Sequence, residues 1–252
     1  MRLMFFLTGV LWLSPGIAQA ASQEPQLRTG ATHPMQYYLS LPEGWNANRR
    51  WPIVVTIEGS GRNWLQNART FADARKQMPF IIISALVLTN SGRATPSRYS
   101  YPQSVWDSMT DDPVDHFRFD HEGILAVVAE VAKEYSGKQK FFITGFSGGG
   151  HTVWSMVFGM PEKLAGAALA AANYAGRGMD EVSKAPEREQ LPVRGFQGDE
   201  DPGLATLTAG WQTAKQVADS HGYRNVSYVM VPGTKHSPMA EQVLAFFASL
   251  PE

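Results

Sequence analysis

The chain has 252 residues, 22 Lys+Arg against 23 Asp+Glu, and no cysteine. A formal net charge of -1 argues against broad electrostatic binding to nucleic acid or anionic lipid. The missing cysteines exclude disulfides, thiolate zinc sites, iron–sulfur clusters and a cysteine nucleophile. With 44% hydrophobic and 18% charged residues, the chain can bury a sizeable core.

The first residues read as an address. Arg2 precedes an apolar run from Leu3 to Leu13, interrupted only by Thr8 and Gly9. Pro15 and Gly16 break the run, and Ala18-Gln19-Ala20 supplies small residues where a signal peptidase reads. This pattern predicts a secretory signal peptide over 1–20 and one mature domain over 21–252. The run is shorter than the ~20 residues of a membrane span. The expectation is an exported protein, periplasmic or secreted, with no stable membrane insertion after cleavage. The lack of cysteine suits an oxidising compartment.

Residues 21–32 are polar and read as loose. Met35–Leu41 alternates and ends at Pro42, as an edge strand would. Trp51–Ile57 and Phe80–Leu88 are nearly continuous apolar runs, the mark of strands buried on both faces. Trp64–Gln77 between them has helical spacing. Residues 89–119 read as a long irregular stretch, with Asp120 capping a helix that runs to about Tyr135, and Phe119 and Ile124 as its staple. Lys140–Thr144 reads as a strand and Ser147–Phe158 as a helix. Ala165–Ala172 fits either a strand or a helix. Leu191–Gln197 and Val226–Val231 read as strands, Gly203–His221 and Pro238–Leu250 as helices. Buried strands alternating with helices predict a mostly parallel sheet covered on both faces, in one domain.

The chemistry gathers at strand ends. Gly145-Phe146-Ser147-Gly148-Gly149 follows a strand and opens a helix, which is the context of a nucleophile elbow. The turn is too sharp for flanking side chains, and the N–H after the serine faces a developing oxyanion. A Walker loop is rejected, because these glycines run into His151-Thr152 and not Lys-Ser/Thr. A serine needs a base. Of the histidines after Ser147, His151 sits on the nucleophile's own helix and His221 at a helix end. His236 lies on the loop after the last strand, where the base belongs. The acid comes from Gly198-Asp199-Glu200-Asp201-Pro202, with Asp201 preferred, then Asp199, then Glu200. The second oxyanion donor belongs to Glu58-Gly59-Ser60-Gly61-Arg62, with the N–H of Ser60 preferred and Gly61 next. The Gly59–Gly61 pair lacks the third glycine of a dinucleotide fingerprint, since Trp64 stands there. Asp111, Asp112, Asp115, His116, Asp120 and His121 are close in sequence, but without a zinc spacing they read as a polar surface loop.

On these motifs the sequence resembles the α/β-hydrolase superfamily. Within it, it is similar to small secreted serine esterases of the polyhydroxybutyrate depolymerase, feruloyl esterase and dienelactone-hydrolase-like type. The resemblance runs from about Met35 to Leu250. It implies a Ser147–Asp201–His236 triad and an oxyanion hole from Ser60 and Gly148. Glu58 stands where many relatives have histidine, and dienelactone hydrolases proper use a cysteine nucleophile. Little chain is free for a cap after about Gly176, so no large lid domain is expected. Trp64, Phe146 and Tyr174 are expected substrate-pocket walls, with Tyr99, Tyr101 and Trp106 as further candidates and Arg93 or Arg98 for an acidic group. Core packing is the competing role for each aromatic.

The function expected is hydrolysis of small-molecule or polymeric carboxylic esters through an acyl-enzyme, with no cofactor or metal. A serine peptidase, an acyltransferase and a non-catalytic binding protein are the alternatives.

Overall fold

The computed structural model describes residues 24–90, 94–110, 112–178 and 181–251. The expected signal peptide therefore lies outside the described residues. The strands are β1 (Gln26–Thr29), β2 (Gln36–Ser40), β3 (Ile53–Ile57), β4 (Ile81–Ala85), β5 (Phe141–Phe146), β6 (Leu164–Ala170), β7 (Val193–Gly198) and β8 (Val226–Val231). They form one sheet in the order β1-β2-β4-β3-β5-β6-β7-β8. The β1–β2 and β2–β4 pairs are antiparallel. All others are parallel.

Every residue of β3 (I-V-V-T-I) and β4 (I-I-I-S-A) is buried. Apolar side chains on both faces of a strand need cover on both sides, and helices supply it. Ile53, Val55 and Ile57 pack with Val127 and Val131 of α3 (Pro113–Glu134), Trp154 and Val157 of α4 (Gly150–Gly159) and Trp211 of α5 (Leu204–Ser220). Val54, one residue out of phase, packs on the other face with Phe71 of α1 (Trp64–Arg75) and Phe247 of α6 (Ala240–Ala248). The alternation is the period-2 geometry of a strand expressed in two cores.

Three expectations are corrected here. Residues 26–29 are not loose. They form β1, an exposed polar strand that pairs with β2 and takes the sheet edge from it. Asp120 does not cap a helix. The cap is Asp112, whose Oδ1 accepts from the N–H of Val114, with Pro113 at the first helical position. Asp120, Phe119 and Ile124 lie inside α3, so the staple is absent. The stretch 89–119 is also more ordered than expected. It holds a 3₁₀ turn (Pro96–Arg98), α2 (Gln103–Asp107) and the first turns of α3. Residues 165–170 belong to a strand, which settles the open choice there.

Among the described residues, no lid domain is inserted after β6. The described part of segment 171–192 carries only the 3₁₀ turn Pro186–Glu189.

Candidate active site

The carboxyl ends of β3, β5, β7 and β8 bring the candidate residues to one end of the sheet. At the end of β5, Ser147 has φ 49, a left-handed conformation uncommon for a non-glycine residue. A 3₁₀ turn over Ser147–Gly149 then leads into α4. The glycine requirement is steric. A Cβ on Gly145 would lie 2.5 Å from the carbonyl oxygen of Gly149 and 2.7 Å from a Val153 methyl. A Cβ on Gly148 would run into the carbonyl oxygen of Asn90.

The three adjacent carboxylates after β7 have different fates. Asp199 and Glu200 are exposed. Asp199 Oδ1 only accepts from the Thr234 N–H at 3.4 Å. The Asp201 side chain is 1% exposed. Its Oδ1 accepts from the Gly203 N–H at 2.7 Å, and its Oδ2 from Gln197 Nε2 at 3.0 Å. Oδ2 also lies 2.7 Å from His236 Nδ1. Burial pushes the Asp201 carboxyl up, but His236, the Gly203 N–H and Gln197 outweigh it and leave it below the usual range. His236 stands on the loop after β8, its ring 4.7 Å from that of Phe146. With Nδ1 committed to Asp201, Nε2 is the nitrogen left for chemistry.

The loop after β3 lies against the serine turn. A Cβ on Gly59 would be 3.1 Å from Ser147 Cβ. The Ser60 nitrogen lies 3.3 Å from where Gly148 would carry a Cβ. Ser60 and Gly148 thus stand side by side next to Ser147. Glu58 is buried beneath this loop. Burial pushes its carboxyl up, against the N–H groups of Gly59 and Asn63 that donate to it.

Two residues of this site escaped the sequence. Asn90 is fully buried, and its Nδ2 donates to the carbonyls of Gly59 at 2.8 Å and Glu58 at 3.2 Å. Asp120 is also fully buried. It accepts from the N–H groups of Leu88 and Thr89 and from the Thr89 hydroxyl. It thereby fixes the chain just before Asn90. The one sequence signal was a polar Thr89-Asn90 pair ending the apolar run of β4.

The expected pocket aromatics divide. Phe146 faces His236. Trp64 is half-buried and packs on Tyr99 at 6.1 Å. Tyr174 packs on Trp154 and Phe158. Tyr99 and Tyr101 are buried in the core. Arg98 is exposed, and Arg93 lies outside the described residues, as does Asp111. The acidic stretch is not wholly a surface loop. Asp115 caps Thr110 and pairs with Arg118, whereas Asp120 and His121 turn inward. Among the described residues, no group of three or more His, Asp or Glu is placed to hold a metal ion. A cavity of about 490 Å³ lies at the opposite end of the sheet, lined by Pro52, Phe80, Leu164 and Pro192 at the strand starts.

The other histidines have separate environments. His221 is exposed, its Nδ1 at 2.8 Å from the Val217 carbonyl at the end of α5. His121 Nε2 lies 2.7 Å from Ser155 Oγ. His151 is half-buried with its Nδ1 unpartnered. Burial pushes His121 down to about 4. It pushes His151 down to about 4 as well, with Arg177's charge adding to the effect. Unfolding lets both rings protonate near their ordinary 6.5. Between about pH 4 and 6.5 the unfolded chain therefore binds more protons, so stability rises with pH and is lost on acidification. The His121→Gln/His151→Gln protein is expected to lose less stability over this window, read as a urea midpoint at each pH. Asp120, which burial pushes up to about 7, titrates in both proteins and cancels in the comparison. Parallel pH profiles would refute the assignment.

A mostly parallel sheet, a glycine-flanked serine on the turn from β5 to α4, and loops meeting it from β3, β7 and β8 define an α/β-hydrolase fold. Solved structures share it. A feruloyl esterase module from Clostridium thermocellum, solved as a mutant complexed with sinapinate, is 14% identical with a TM-score of 0.62, over 98% of this chain and 96% of that one. LpqC, a poly(3-hydroxybutyrate) depolymerase from Bordetella parapertussis, is 18% identical with a TM-score of 0.61, over 88% of both chains. A thermostable esterase is 16% identical with a TM-score of 0.58. There the match covers 88% of this chain but 59% of that one. No family model and no curated protein matches the chain. The likeness is one of fold.

Proposed function

We propose that the protein is a serine hydrolase that cleaves carboxylic esters through an acyl-enzyme. Ser147 is the nucleophile, His236 the base and Asp201 the carboxylate that orients it. The observation that carries this reading is the 2.7 Å contact between His236 Nδ1 and a buried Asp201, at the same sheet end as the strained Ser147 turn. Buried carboxylates that hold an imidazole tautomer are what general-base activation of a serine needs. Strain stored at a strand–helix turn fits a nucleophile held out for attack.

In this mechanism His236 Nε2 takes the Ser147 proton as Oγ attacks the ester carbonyl. The N–H groups of Gly148 and Ser60 stabilise the oxyanion, each such donor being worth roughly 3–4 kcal/mol. The imidazolium then protonates the leaving alcohol. Water, activated by His236, hydrolyses the acyl-enzyme and frees Ser147. The absence of an inserted lid among the described residues between β6 and β7 suits small or extended esters. The amino-terminal pattern extends the proposal to an exported protein whose mature chain begins near Ala21.

An alkyl fluorophosphonate is expected to label the wild-type protein on Ser147 and to leave Ser147→Ala unlabelled, alongside loss of p-nitrophenyl acetate hydrolysis. Labelling that persists in Ser147→Ala would sink the assignment. A panel of peptide anilides and acyl acceptors separates esterase from peptidase and acyltransferase chemistry.

A further inference from the structure

Three groups of Asn90 have separate partners around the candidate oxyanion hole. Its Nδ2 donates to two successive carbonyls of that loop, those of Glu58 and Gly59. Its Oδ1 accepts from the Tyr99 hydroxyl at 3.3 Å, and that hydroxyl accepts from Arg62 Nε at 3.2 Å. Its own backbone carbonyl occupies the space that a Cβ on Gly148 would need. One fully buried residue thus touches both walls of the candidate oxyanion hole. The side chain bonds the β3 loop, and the main-chain carbonyl lies against Gly148 of the serine turn.

A side-chain amide is suited to this. It offers two N–H donors and one carbonyl acceptor in a plane, so it can bridge two carbonyls and still be oriented from behind. The two carbonyls fix the peptide planes before Ser60. An N–H aimed at a developing oxyanion contributes only if its direction is set in advance, because reorientation during the reaction costs what the hydrogen bond gains. The Gly59 carbonyl is already tied by the Arg62 N–H at 3.2 Å, closing a tight turn. Asn90 supplies the second restraint from the opposite side. Behind it, Asp120 gathers the N–H groups of Leu88 and Thr89 and leaves Asn90 little freedom to drift.

Resting on the serine-hydrolase reading above, we propose that Asn90 is a positioning residue. It aims the Ser60 N–H into the oxyanion hole by clamping the Glu58 and Gly59 carbonyls, with Tyr99 as its support. The clamp acts on the transition state and leaves ground-state substrate binding alone.

The test compares wild type, Asn90→Ala, Asn90→Asp and Tyr99→Phe on p-nitrophenyl acetate, with thermal melts on each. Asn90→Ala and Asn90→Asp are each expected to lose kcat by about 10²-fold, the loss typical of one oxyanion donor. KM should stay within about threefold. Tyr99→Phe, which removes only the supporting hydroxyl, should lose less than either. Inhibition by a phenylboronic acid, whose adduct with Ser147 is tetrahedral, should weaken in parallel with kcat/KM. A folded Asn90→Ala protein that keeps kcat within threefold overturns the proposal, as does a loss that falls on KM alone. If Asn90→Ala fails to fold, Asn90→Asp decides, since it keeps the shape and the acceptor and lacks the donor. Fluorophosphonate labelling that survives in Ser147→Ala overturns the underlying reading and the clamp with it. Labelling that depends on Ser147, together with an Asn90→Ala protein whose kcat is unchanged, overturns the clamp alone.

Discussion

Asp201→Asn is expected to lower kcat on p-nitrophenyl esters by about 10⁴-fold near neutral pH, with the fold intact. The reason is tautomeric. In the wild type, His236 Nδ1 holds its hydrogen toward Asp201 Oδ2 at 2.7 Å, so Nε2 is free to accept a proton. An asparagine amide that turns its NH₂ toward the ring makes Nδ1 the acceptor. Nε2 then carries the hydrogen and cannot act as base. The Gln197 Nε2 bond to Oδ2 is lost in the exchange, but the Oδ1 contact with the Gly203 N–H survives, so the loop after β7 keeps its anchor. Asp199→Asn is the matched control. Asp199 is exposed, and its carboxylate accepts a long bond from the Thr234 N–H, so activity should change by less than about threefold. A large loss in Asp199→Asn with a small one in Asp201→Asn would reassign the acid.

Gly148→Ala should be costly in a different way. The added methyl meets the backbone oxygen of Asn90, which Asp120 and the β4 end hold in place. Backbone against backbone leaves no flexible side chain to yield, so overpacking costs about 1–3 kcal/mol or more. Relief comes only by turning the 147–148 peptide, and that swings the Gly148 N–H away from the oxyanion. A loss in kcat of about 10²–10³-fold is expected on top of the lowered urea midpoint. Gly159→Ala, at the far end of the α4 helix that follows the turn, adds a methyl into open space. It should leave activity unchanged and raise stability by up to about 1 kcal/mol. Equal behaviour of the two variants would contradict the steric argument.

What the sequence made legible follows from how local each signal is. The parallel core was readable because β3 and β4 are apolar at every position. The serine turn was readable because its glycine spacing is a contiguous local pattern, although only Gly145 is demanded by near neighbours, Gly149 and Val153, and Gly148 answers to the distant Asn90 carbonyl. The strand Gln26–Thr29 was not readable, since it is held by main-chain pairing to β2 and has no apolar face to announce it. The start of α3 was masked by an excess of capping residues. Asp112-Pro113 is a good start signal, but Asp120, seven residues beyond that proline, looked equally suitable in an acidic stretch. Only burial separates them. Nor does the local sequence separate Asp199, Glu200 and Asp201, of which the fold buries Asp201 beside His236. Asn90 carried almost no signal, because its meaning lies in carbonyls some thirty residues upstream.

The crossing of Asn90, Ser60 and Gly148 has a thermal consequence. Among the described residues, the two walls of the proposed oxyanion hole meet a buried amide, a buried carboxylate and the loops after central strands. Such a hole has no low-energy way to come apart while the sheet stands. Heat inactivation and the loss of the β-sheet signal should therefore fall on one curve. The hole melts when the domain melts.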